Sequence, residues 1–185
     1  DKISFDAVKD DTTGRVKHQP EADGDLGEQL ELTLSGKVTN IVSLGAQPSS
    51  NNANMLKIEV ALPDTLKAAI AAGYLTIQYT VGDNGSDTDI PNDNTIWVKP
   101  VASENGEGTF SITLKFGWGE KFNGMNPSLY YDQVTDSEAD GYISDAQMKT
   151  ELAAFRATLI GANAEDADVF TKEYKGAILV NIVAV

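Results

Sequence analysis

Between Thr109 and Trp118 the chain alternates apolar and polar side chains without a break. Phe110, Ile112, Leu114 and Phe116 fall on one side, and Ser111, Thr113 and Lys115 fall on the other. Successive side chains of an extended chain point to opposite faces, so this spacing specifies a half-buried strand. A helix would need its apolar positions every third or fourth residue. The same alternation recurs in Ile3, Phe5 and Ala7, in Leu30, Leu32 and Leu34 within 29–42, and in Ile58, Val60 and Leu62 within 55–62. It returns in Leu75, Ile77, Tyr79 and Val81 within 74–81, and in 95–101 around Trp97. Gly36, inside the second of these strands, is a candidate bulge. Residues 176–185 (G-A-I-L-V-N-I-V-A-V) are nearly all apolar, the pattern of a strand buried on both faces or protected by a partner.

Two segments carry the helical period instead. Pro63-Asp64-Thr65 opens one that runs to Gly73, and Ser144-x-x-Gln147 is a capping box for another over 145–160. In the second, Met148, Leu152, Phe155 and Leu159 form a stripe suited to lying on a sheet. About eight strands with two short helices and long loops describe a β-sandwich or jelly roll with helical insertions. The expectation is an all-β fold: an antiparallel β-sandwich, jelly-roll-like, with one or two helical insertions and a single domain over 1–185. Its expected core is Leu32, Leu34, Ile58, Val60, Ile77, Ile112, Leu114 and Phe116.

Composition limits the function. The 185 residues hold 14 basic and 28 acidic side chains, a formal charge of −14. Phosphate backbones and anionic membranes would be repelled, so nucleic acid is not an expected partner. No apolar run is long enough to span a membrane as a helix. Cysteine is absent, which excludes disulfides and thiolate metal sites. The one histidine, His18, stands in a polar stretch without a second metal-ligating histidine or a G-x-S-x-G elbow, so no zinc-protease or serine-triad pattern is present. The expectation is a protein that is not an enzyme. Asp1-Lys2-Ile3-Ser4 has no apolar leader; a secretory leader would precede Asp1.

After the long strand come Gly117-Trp118-Gly119 and Phe122-x-Gly124-x-Asn126-Pro127-Ser128-x-Tyr130-Tyr131. A strand, a W-G break and this aromatic segment together resemble the camelysin/TasA-like family of secreted bacterial surface and biofilm-matrix fibre proteins. The resemblance is strongest over the C-terminal part of the chain. It implies a secreted, extracellular or cell-surface location, and a structural subunit whose partners are copies of itself or other matrix proteins. It also implies polymerisation in which an N-terminal strand leaves its own subunit and completes the sheet of the next. Here that strand would be Ile3, Phe5, Ala7 and Val8 within residues 1–8, tethered by 9–28; the same residues would also make an ordinary edge strand. The alternative is a monomeric surface module that binds carbohydrate or protein through 117–132, with Tyr130 and Tyr131 as contacts. Adjacent residues of an extended chain face opposite ways, so one of the two tyrosines is expected to be exposed. Trp118 ends a core-facing alternation and is expected to be buried.

Two acidic segments are candidates for calcium, a cofactor the fold is not expected to require. Asp83, Asp87 and Asp89 lie close together, with Asn92 and Asp93 following. Asp136, Glu138 and Asp140 precede Gly141 and Ile143 at the spacing of an EF-hand-type loop. Glu138 is long for its position, and Gln147 cannot supply the bidentate carboxylate that closes such a loop. The helix cap at Ser144 accounts for the second segment without an ion.

Overall fold

A computed structural model of the chain describes residues 3–5, 30–48, 50–163, 165, 169 and 178–184. The strands in chain order are β1 (Ile3–Phe5), β2 (Leu30–Val38), β3 (Leu56–Ala61), β4 (Leu75–Val81), β5 (Thr88–Asp89), β6 (Thr95–Val98), β7 (Val101–Ala102), β8 (Gly108–Trp118) and β9 (Leu179–Ala184). The helices are α1 (Asp64–Ala71), α2 (Pro127–Val134) and α3 (Asp145–Ile160). All strand pairings among the described residues are antiparallel.

The uninterrupted alternation of β8 makes it the axis of the larger sheet, ordered β1-β2-β8-β4-β5, with β7 also paired to β8. Register keeps the apolar faces together. Leu32 lies opposite Leu114, Leu34 opposite Ile112, and Ile77 opposite Phe116. A slip of one residue would turn every one of these side chains to the wrong face. The smaller sheet is ordered β6-β3-β9. One core cluster draws on both sheets: Val38, Phe110, Ile112 and Leu114 from the larger, and Leu56, Ile58, Val60, Ile96 and Val98 from the smaller. Burying each such side chain stabilises the fold by about 1.5–3 kcal/mol. Of the expected core, Ile58, Val60, Ile77, Ile112 and Leu114 are buried, while Leu32, Leu34 and Phe116 pack partly buried against the cluster.

Four sequence expectations change. Gly36 makes no bulge: β2 and β8 pair one to one from Leu30 to Val38, with Gly36 between Phe5 and Phe110. The strand expected over 95–101 is two strands in different sheets, parted at Lys99-Pro100. Proline has no N–H to donate, so it falls where the chain leaves one ladder for the other. Residues 117–143, in which the sequence reading places no helix, contain α2, which brings the helices to three. Finally, of the two readings of 176–185, a strand buried on both faces or one protected by a partner, the first does not hold for β9 within the chain. Val180 and Ile182 turn to the core, while Leu179 and Val183 are 63% and 38% exposed.

The helices close one end of the structure. Ser144 caps α3 by accepting a hydrogen bond from the Gln147 N–H at 3.2 Å, and Gly161 ends it in the left-handed region. Asn126 caps α2 by accepting from the Ser128 N–H at 2.9 Å, with Pro127 at the first helical position. Met148, Leu152 and Leu159 pack around Phe122, Tyr131 and Phe155, so the stripe read from sequence does lie on its expected face. No helix among the described residues is long and apolar enough to cross a membrane.

Candidate functional site

The structure sorts the sequence-predicted residues into four places. The first is the aromatic segment. Trp118 meets Phe122 and Phe155 edge-on, with ring centroids 6.0 and 6.3 Å apart. Phe122 is fully buried, Tyr131 is 5% exposed, and Tyr130 packs against both at 6.0 and 5.0 Å. The tyrosines sit on a helix, where neighbours diverge by about 100° rather than facing opposite ways. Both therefore reach the same cluster, and the expectation that one is exposed is corrected. The Tyr131 hydroxyl donates to Glu151 Oε2 at 2.9 Å. Burial, and then the Glu151 carboxylate, push its pKa above the ordinary tyrosine value. These aromatics hold α2 and α3 on the sheet, and Tyr130, which stays partly exposed, lines with Tyr131 and Glu151 a cavity of about 290 Å³.

The second place is the acidic segments. Asp87 lies 2.8 Å from the Lys115 ammonium, whose pKa is raised chiefly by that hydrogen bond. Asp89 Oδ1 accepts from the Gln78 amide at 2.9 Å, and Asp83 stands exposed. Asp136 Oδ1 accepts from the Glu138 N–H at 3.0 Å, an Asx turn leading toward α3, with Glu138 and Asp140 exposed. Among the described residues no three acidic or histidine side chains converge as a metal site would require.

The third is the strand proposed for assembly. Ile3–Phe5 pair with β2 of the same chain, Ile3 opposite Val38 and Ser4 opposite Lys37, at the outer edge of the larger sheet. Ala7, Val8, the 9–28 tether and His18 lie outside the described residues. β9, at an edge of the other sheet, pairs only with β3 among the described residues. Residues 3–5 thus do not cover it.

The fourth place was not read from the sequence. A cleft of about 600 Å³ opens between α1 and residues 89–94. Leu62, Ile70, Leu75, Ile77 and Ile90 give it apolar walls, and Lys67, Asp89 and Glu120 bring charge to it. Its end is built from backbone. Gly119 donates its N–H to Tyr74 O at 2.9 Å, and Lys121 donates to Gly73 O at 2.9 Å. A Cβ on Gly119 would fall inside the Gly73 carbonyl, so only glycine allows this approach. Gly73, at φ +82, leaves room for the Glu120 side chain to pass over it. The sequence signal was present in Ala71-Ala72-Gly73 and Gly117-Trp118-Gly119, but their contact is long-range. The chain matches no family model, no curated protein and no solved structure.

Proposed function

We propose that the protein is a secreted cell-surface or extracellular-matrix structural subunit that polymerises into fibres by exchanging its first strand. Its two sheets would stack as a sandwich of the jelly-roll kind, the reading supported by a core cluster that draws on both of them. One observation carries the assembly proposal: β1, three residues long among the described residues, sits on the open side of β2, at the edge of the larger sheet. Each ladder hydrogen bond is worth about 0.5–1.5 kcal/mol net, so so short a strand detaches at small cost. A neighbour's β1 could then make the same contacts in the same register, which is the logic of strand exchange between identical chains. The uncharged edge strand β9, with Leu179 and Val183 outward, gives a second surface suited to another copy or another matrix protein. Calcium is not needed for this reading, and its binding at the two acidic segments rests on sequence spacing alone.

The test is removal of residues 1–8, followed by electron microscopy and size-exclusion chromatography with and without calcium. The expected result is a folded monomer that no longer elongates. A truncated protein that unfolds, or that assembles as the full chain does, overturns the proposal.

A further inference from the structure

We propose that the cleft between α1 and residues 89–94 binds a short apolar peptide with free ends. This site is separate from the β1–β2 pairing: its lining among the described residues comes from α1, β4, β5 and the turns beside them. At about 600 Å³ it falls within the size of small-ligand sites, and its walls of Leu62, Ile70, Ile77 and Ile90 suit aliphatic side chains. Its charges select the ends of the ligand. Among the described residues Lys67 is the one basic side chain lining it and makes no ion pair; it stands on the same face of α1 as Ile70 and Ala71. In a chain of charge −14, a lysine at an apolar cleft offers a place for one carboxylate. Glu120, held across Gly73, and Asp89, through the carboxylate oxygen that the Gln78 amide does not take, match an ammonium group from other elements. Asn92 and Asn94 supply amides for the peptide group between. The backbone of Asn94 is already satisfied, donating to Pro91 O at 2.8 Å and accepting from the Val60 N–H at 2.8 Å. Its side-chain amide is what remains for a ligand. A ligand of one sign alone would leave the opposite charge facing it.

The test is calorimetric titration of the full chain with leucyl-leucine and with the same dipeptide acetylated and amidated at its ends. The expected dissociation constant for the free dipeptide is at or below about 1 mM, and the blocked form binds about tenfold more weakly or worse. Lys67→Ala weakens the free dipeptide and leaves the blocked one unchanged. Ala71→Trp, at an exposed position lining the cleft, removes binding of both. Absence of heat with leucyl-leucine, equal affinity for the blocked form, or unchanged binding by the Ala71→Trp protein each overturns the proposal.

Discussion

Tyr131 shows at the scale of one residue how a polar group is tied into an apolar cluster. Its ring is packed among Phe122 and Tyr130, and its hydroxyl reaches Glu151. Ionisation would place a second negative charge beside that carboxylate in a site with little water, so the folded state holds the pKa above its unfolded value of about 10. The stability linked to this group is fully present below that value and is lost as pH rises through it toward the folded pKa. The melting temperature should therefore fall above about pH 10, and Tyr131→Phe should flatten part of that fall. At neutral pH the same substitution should cost about 1 kcal/mol in denaturant unfolding, the worth of a hydrogen bond. Tyr142→Phe, at a half-exposed position, should change neither. Superimposable pH profiles for the Tyr131→Phe and parent proteins would contradict this account of the site. The sequence identified Tyr130 and Tyr131 as unusual but misjudged their surroundings, because it took an extended backbone where Asn126-Pro127-Ser128 starts a helix. That cap was legible: an asparagine before a proline at the first helical position is a start signal.

Among the elements, those with local codes were read well and those set by distant partners were not. α3 spans 145–160 as the capping box and stripe require, and β8 runs as its alternation predicts. Ser144→Ala should cost about 1 kcal/mol by chemical denaturation, since the Gln147 N–H loses its acceptor. An unchanged midpoint would mean the cap is replaced by water without loss. Gly36 was read as a bulge because glycine is rare inside strands, yet its ladder is regular and Phe110 and Phe5 flank it. Pro100 carried a signal too, but that it separates two sheets depends on where β8 and β3 stand, which lies outside any local window. The β9 pattern left two readings, burial on both faces or cover by a partner, for a related reason. Apolar residues on both faces describe an interior strand and an edge strand with a sticky outer face equally well. The glycines at the end of the cleft, Gly73 and Gly119, were legible one by one, but its walls come from α1, β4, β5 and the Gly119 turn, which only the fold brings together.

For the whole molecule the central claim is that β1 moves between copies. The closed arrangement on β2 and the exchanged arrangement in a fibre use the same residue pairs, so contacts within one chain do not separate them. Connectivity does. The chain has no cysteine, so introduced thiols report without background from native ones. Ser4 and Lys37 are opposite each other on β1 and β2, within the Cα spacing that a disulfide spans. The decisive measurement is to mix a Ser4→Cys protein with a Lys37→Cys protein, let them assemble, oxidise, and identify the covalent product by mass spectrometry. Strand exchange predicts a disulfide dimer of the two unlike chains, in excess over either like dimer. If the mixture yields no such dimer, while a single chain carrying both substitutions closes the disulfide within itself, β1 stays on its own β2 and the account is wrong.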